Sequence, residues 1–340
     1  MRKRRVKIKL ISAFFVFLSV LIFMTLLPFI VENKKEIYGD TSLSQRNNYF
    51  SEVKIKTHDK RGKEINLKSD DIYETKKDNY TLKNIVSTFT LSNGEVGTIS
   101  ADVSNAIRGE KTECEFIGNV ILSTESGLLI KTEELLVDFN KKTASGNAAV
   151  AISRDNVTVS AKKYFFSMEE NVLTLADDAK GFFKSDKVSS NKMIIRFDAA
   201  KNIQSVNAIG NAVYISKNYQ LKAKSGILYY PDKALAQEDV VLLYRKDGND
   251  YNVRSDAMRA RIVDGKLNNI EANGSLIIKT KDVTIRANKG ILENDLIRVF
   301  GNVAISNEHG NVFGSAATLD TKTGDVSLDK SSGIVNDGIH

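Results

Sequence analysis

Gly118-Asn119-Val120-Ile121-Leu122 is the first clear copy of a phrase that recurs through the chain. It returns as Gly146-Asn147-Ala148-Ala149-Val150, as Gly210-Asn211-Ala212-Val213-Tyr214 and as Gly301-Asn302-Val303-Ala304-Ile305. Weaker copies stand at Ala179-Lys180-Gly181-Phe182-Phe183, Glu238-Asp239-Val240-Val241-Leu242 and Asn273-Gly274-Ser275-Leu276-Ile277. Neighbouring starts lie roughly 28 to 35 residues apart, a period that marks stacked supersecondary units.

Each unit has a second half. Runs such as Leu128-Leu129-Ile130-Lys131-Thr132, Gln220-Leu221-Lys222-Ala223-Lys224 and Val283-Thr284-Ile285-Arg286-Ala287 follow the phrase. Apolar and polar residues alternate with period 2, the pattern of a strand with one buried and one wet face. Gly and Asn both tolerate positive φ, so the pair fits a turn between strands. One unit then reads as two short strands plus turns. A lone hairpin is marginal in water, so the units must stack to bury their faces.

The alternation assigns faces. Val120 and Leu122, Ala148 and Val150, Ala212 and Tyr214, and Val303 and Ile305 share one face of the first strands. Ile130, Leu221, Ala223, Val283, Ile285 and Ala287 do so in the partner strands, with Lys222, Lys224, Thr284 and Arg286 opposite. A one-residue register error would exchange these faces. Several inward positions are small (Ala148, Ala212, Ala223 and Ala287), which leaves room between sheets or marks a tight sandwich.

Strand-like runs also fill residues 49–115: Val53-Lys54-Ile55-Lys56, Glu64-Ile65-Asn66-Leu67, Ile85-Val86-Ser87-Thr88-Phe89 and Gly97-Thr98-Ile99-Ser100-Ala101. No break in composition separates them from the repeat. There are only two prolines, Pro28 and Pro231, which suits long hydrogen-bonded strands. The last strand-like piece is Asp325-Val326-Ser327-Leu328, and the tail beyond it reads as loose.

From Leu10 to Val31 there is no charge. At 1.5 Å per residue that stretch is roughly 33 Å long, enough to cross a bilayer core. Arg2, Lys3, Arg4, Arg5, Lys7 and Lys9 precede it, so the N-terminus should stay cytoplasmic and the bulk should lie in the periplasm. A cleaved signal peptide is the rival, but Leu26-Leu27-Pro28-Phe29-Ile30-Val31 offers no small-residue cleavage site. Without those six cations, 43 of the 49 basic residues remain against 42 acids. The net charge of +7 is therefore an orientation signal for a membrane and no argument for nucleic acid.

No catalytic constellation emerges. His58, His309 and His340 are isolated, and no Cys/His spacing suits zinc. No phosphate loop or Gly-x-Ser-x-Gly occurs. Asp70-Asp71 and Asp177-Asp178 read as solvated turns. Cys114, the single cysteine, reads as a buried small apolar residue. The chain is thus expected to be no enzyme and to need no cofactor or metal. A carbohydrate-active β-solenoid enzyme would want clustered carboxylates and aromatic platforms, and there is no tryptophan. An anchored structural solenoid without lipid binding is the other alternative.

The N-terminal span, the approach through Ile99-Ser100-Ala101-Asp102, then Phe116-Ile117-Gly118-Asn119-Val120-Ile121-Leu122 and Gly127-Leu128-Leu129-Ile130-Lys131-Thr132 resemble the LptC family of lipopolysaccharide transport. The similarity covers about residues 1–185. Ile209-Gly210-Asn211-Ala212-Val213, Ala223 with Tyr229-Tyr230, and Phe300-Gly301-Asn302-Val303 resemble the OstA-like domain of LptA. The resemblance implies an all-β fold, an elongated twisted antiparallel β-jellyroll open as a V-shaped groove, behind one N-terminal transmembrane helix. The corresponding plan is a basic tail (1–9), a span (10–31), a tether (32–48), an LptC-like jellyroll (49–185), an LptA-like continuation (186–335) and a short tail (336–340).

The implied function is to hold the acyl chains of lipopolysaccharide in the groove and to pass the lipid onward. The implied partners are lipopolysaccharide, an inner-membrane ABC transporter complex of the LptB, LptF and LptG kind, and an LptA-like periplasmic bridge protein. The groove would be lined by Val120, Leu122, Ile130, Val150, Ala212, Tyr214, Leu221, Ala223, Val283, Ile285, Ala287, Val303 and Ile305. Edge pairing with partners would fall at Val53 and Ile55 on the first strand and at Val326 and Leu328 on the last. Exposed sheet edges are templates for such strand addition.

Overall fold

The computed structural model describes residues 49–335, apart from 59–62, 77–78, 91–93, 108–111, 184–185, 199–201, 218, 230–231, 247, 264–265, 294 and 330–331. The expected span 10–31, its flanks and the tail 336–340 lie outside the described residues. Among the described residues no helix is long and apolar enough to cross a membrane.

The regular structure of the described residues is all strand. The strands are β1 (Tyr49–His58), β2 (Glu64–Lys76), β3 (Asn79–Thr90), β4 (Val96–Ile107), β5 (Glu113–Thr124), β6 (Leu129–Asp138), β7 (Thr143–Gly146), β8 (Val150–Arg154), β9 (Val157–Ala161), β10 (Lys163–Ser167) and β11 (Val172–Phe183). They continue with β12 (Asp186–Phe197), β13 (Ile203–Ile215), β14 (Tyr219–Tyr229), β15 (Lys233–Lys246), β16 (Asn249–Val263), β17 (Lys266–Lys279), β18 (Thr284–Glu293), β19 (Leu296–Asn307), β20 (Gly310–Asp320), β21 (Val326–Asp329) and β22 (Ser332–Val335). The tail read as loose therefore contains β22, which pairs with β20.

The chain divides into two units. One ends at Ala179 and takes in Arg196–Ile203; the other holds Lys180–Ile195 and everything from Gln204. In the first unit β1 to β6 pair antiparallel in chain order. β6 then pairs with both β7 and β8, as with one broken strand. The break falls at the Gly146-Asn147 copy of the phrase. A β-carbon on Gly146 would meet the Tyr164 ring and the Glu134 carbonyl, and Tyr164 donates its hydroxyl hydrogen bond to that carbonyl at 2.7 Å. In the second unit each strand from β13 to β20 pairs antiparallel with the next.

The structure corrects the reading of Gly-Asn as a turn. Gly118-Asn119, Gly210-Asn211 and Gly301-Asn302 lie inside the long strands β5, β13 and β19, with φ of 74° and 47°, 74° and 53°, and 76° and 49°. The register slips there by one residue: Ile117 faces Glu134, while Val120 faces Thr132. Each pair is a β-bulge, two residues opposite one, and a bulge sharpens the local bend and twist. Positive φ is cheap for Gly and least costly among the rest for Asn and Asp, which explains the phrase. Glu238-Asp239 in β15 and Gly274-Ser275 in β17 do the same. Asp177-Asp178, read as a turn, has φ of 60° and 67° within β11. Asp70-Asp71 likewise sits within β2, where Asp71 accepts from Tyr49 at 2.8 Å and Tyr73 at 3.0 Å.

In the second unit these bulges line up across neighbouring strands. The line runs from Gly210-Asn211 past Lys224 to Glu238-Asp239, past Asp256 to Gly274-Ser275, and past Asn288 to Gly301-Asn302. A bulged strand keeps the same set of alternate residues inward before and after the bulge, as Ala236, Val240 and Leu242 of β15 show. The strand opposite must slip phase. In β18 Ile285 and Ala287 are buried, then Gly290; Asn288 and Lys289 both face away from the interior. β4 repeats this with Ile99 and Ala101, then Ser104.

Burial of such side chains supplies most of the stability, on the order of 1.5–3 kcal/mol for each large one. In the first unit the interior is filled by bulky groups, Phe89, Phe116, Ile65, Leu67, Leu82 and Ile99 among them, each at most 1% exposed.

Candidate functional site

In the second unit the bulge line separates two inward surfaces. Tyr214, Leu221 and Leu242 are cross-strand neighbours on one side. Ala208, Gly226, Ala236 and Met258 are cross-strand neighbours on the other. An apolar pocket of about 80 Å³ lies between them, with Ala212, Ala223, Leu228 and Ile270 completing its walls. Its origin is side-chain size. Five of these inward positions are Ala or Gly, where the first unit carries Phe, Ile and Leu, so the facing surfaces leave free volume rather than interdigitate.

The predicted groove residues separate into three groups. Ala212, Tyr214, Leu221 and Ala223 border the pocket. Ile285, Ala287, Val303 and Ile305 belong to the packed core of the same unit with Leu276, Ile278 and Val299, and Val283 packs against it. Val120, Leu122 and Val150 are buried in the first unit, and Ile130 is partly buried there. The predicted edge residues Val53 and Ile55 are buried on β1, which pairs with β2. Val326 and Leu328 are partly buried on β21, opposite Leu319 and Ala317 of β20.

Sequence reasoning missed Ala208, Gly226, Leu228, Ala236, Met258 and Ile270. They precede the bulge in their strands, or follow the phase slip, so alternation counted onward from each glycine never reaches them.

Next to the pocket, reached through Tyr214, lies an aromatic and polar cluster. The Tyr214 ring borders the pocket and stacks on Tyr219 at 5.7 Å between centroids, with 20° between planes. Tyr219 faces Tyr244 across β14 and β15, and Tyr244 faces Tyr251 across β15 and β16. Tyr214 donates to the Asp186 carboxylate at 2.7 Å, and Ser216 donates to its other oxygen at 2.9 Å. Burial pushes the Tyr214 hydroxyl well above the usual tyrosine range, and its bonds with Tyr219 and Asp186 push the same way. Tyr251 donates to the Thr321 carbonyl at 2.9 Å and ties the start of β16 to the turn after β20. Among the described residues no group of His, Cys, Asp and Glu could hold a metal ion.

Residues 18–184 match the family described as lipopolysaccharide-assembly, LptC-related. Over these residues the chain belongs to the LptC-related family. Its role accordingly lies in lipopolysaccharide transport, among the components of that machinery. No curated protein matches the chain. The LptC-related match ends before β12, so the pocket is built almost wholly by strands that follow it.

Proposed function

We propose that this LptC-related chain binds the acyl chains of lipopolysaccharide in the apolar pocket of its second unit and hands the lipid from an inner-membrane ABC transporter toward a periplasmic bridge. The observation that carries this is the pocket itself: an apolar space between two inward surfaces, kept free by Ala and Gly in a lipopolysaccharide-transport chain. A cavity of 150 Å³ accommodates benzene, so about 80 Å³ holds about three carbons. The two surfaces therefore part along the bulge line as a longer chain enters, at a gain of roughly 0.8 kcal/mol for each methylene buried. Comparable gains at successive positions let a chain slide instead of lodging.

In this reading the chain does no chemistry of its own. ATP hydrolysis in the transporter supplies the work. The uncharged stretch Leu10 to Val31 holds the protein in the inner membrane with its bulk in the periplasm. β1 adds to a transporter strand, and β21 with β22 adds to the next jellyroll. The second unit, similar to an OstA-like domain, supplies part of the bridge within the same chain.

A photo-crosslinking residue at Leu221, on the pocket wall, tests this against one at Lys222, on the outer face. Lipopolysaccharide adducts should form at Leu221 and not at Lys222. Adducts confined to Lys222, or absent from Leu221, would refute the pocket as the lipid site.

A further inference from the structure

The cluster behind Tyr214 has a chemistry that acyl chains do not use. The two oxygens of the Asp186 carboxylate each accept a hydroxyl, one from Tyr214 at 2.7 Å and one from Ser216 at 2.9 Å. Two hydroxyls on the two oxygens of one carboxylate is also how a vicinal diol binds a carboxylate. Beside this pair lies the stacked platform of Tyr214 and Tyr219. Tyrosine suits a boundary where an apolar body meets a polar tip, and here Tyr214 has its ring on the pocket and its hydroxyl on a carboxylate.

We infer that Asp186, Tyr214, Ser216 and Tyr219 form a saccharide site beside the Tyr214 wall of the pocket, taking the hydroxyls of a sugar ring of a glycolipid whose chain lies within. This deepens the acyl-pocket reading and rests on it. Asp186 selects the head group: a carboxylate accepts from sugar hydroxyls, and phosphatidic acid offers none. Sugar hydroxyls take over the two acceptor positions now held by Tyr214 and Ser216. Release of Tyr214 from Asp186 frees the ring that borders the pocket, so capture of the head group also widens the space for the chain.

The test uses the full chain in detergent micelles with the photo-crosslinker at Leu221, which faces Tyr214 across β13 and β14. Lipopolysaccharide and phosphatidic acid are supplied in turn as probes, one with sugar hydroxyls and one with no alcohol hydroxyl on its head. In the parent protein the lipopolysaccharide adduct should predominate. Asp186→Asn, which leaves one acceptor oxygen in place of two, and Asp186→Ala should each lower the ratio of lipopolysaccharide to phosphatidic acid adduct on the order of tenfold, with the phosphatidic acid adduct retained. An unchanged ratio in both variants, with the phosphatidic acid adduct retained, overturns the saccharide site and leaves the acyl pocket standing. Absence of both adducts in the parent protein overturns the two together. Asp186→Asn keeps the size and shape of the side chain, so it decides the matter if Asp186→Ala does not fold.

Discussion

Gly118 lies directly against the Asp102 carboxylate, with no room between them for a β-carbon. The same fit joins Gly274 to Asp256, and Asn191 and Asn288 stand in the same place against Gly210 and Gly301. Asp102 also accepts from the Asn119 side chain at 2.9 Å. Gly118→Ala should therefore lower stability by about 2–4 kcal/mol, the sum of a left-handed non-glycine and a steric clash. Asp102→Ala alone should cost about 1 kcal/mol for the lost hydrogen bond. In the double variant the carboxylate part of the clash is removed, so urea midpoints should show a smaller loss than the two single losses added. Simple additivity would mean that the carboxylate and the glycine do not meet.

Gly226 has an ordinary φ and faces the pocket, and a β-carbon there would come no closer than 3.5 Å, to the Leu235 carbonyl. Gly226→Val should consequently fold at least as well as the parent, because a β-branched residue suits a strand. It should at the same time fill the pocket and cut the lipid adduct at Leu221 on the order of tenfold. Melting temperature and crosslinking yield, measured together, check both parts.

Tyr251 is 2% exposed and bonds the Thr321 carbonyl across 70 residues of sequence. Tyr251→Phe keeps the ring and removes the donor. A loss of about 1–2 kcal/mol in urea unfolding is expected. Amide hydrogen exchange at residues 321–324 should accelerate; exchange as slow as in the parent would show that the bond does not hold this turn.

Hydrogen bonds from Tyr49 and then Tyr73 hold the Asp71 carboxyl below its ordinary value of 3.8. A carboxyl depressed in the folded state supports the fold above its unfolded value, and that support is lost as pH falls through the folded one. The attachment of β1 to β2 should weaken below pH 3.8. Hydrogen exchange of β1 amides, corrected for intrinsic rate, should rise there ahead of β5 amides, and Tyr49→Phe should shrink the difference. Parallel responses of β1 and β5 would contradict this.

Cys114 is fully buried beside Ser104, and burial pushes its thiol up to about 12. The thiolate is the reactive form, so a thiol reagent at pH 8 should leave the native protein unmodified. Because the sequence has a single cysteine, labelling in rising urea should follow global unfolding of the first unit. Labelling within minutes without denaturant would mean that the β4–β5 region opens on its own.

Strand content and the repeat were legible from alternation and from the recurrence of Gly-Asn, because both are local. Burial follows that alternation at Val120 and Leu122, with Ile121 turned outward at 38% exposed. The role of the pair was not legible. A turn and a bulge ask the same positive φ of the same two residues, and only the cross-strand partner tells them apart. Asp102 lies 16 residues before Gly118, while Asn288 lies 13 before Gly301, so no fixed spacing announces the partner.

By itself, then, the sequence determined an all-strand chain with one apolar face per strand, since side-chain period and backbone tolerance are properties of neighbouring residues. Only the tertiary structure decided where each unbulged strand slips phase, and thereby that Ala208, Gly226 and Met258 confront Tyr214 and Leu221 across a pocket. The physical reason is that a bulge shifts the register of the strand opposite, and that strand is chosen by hydrogen bonding between distant segments.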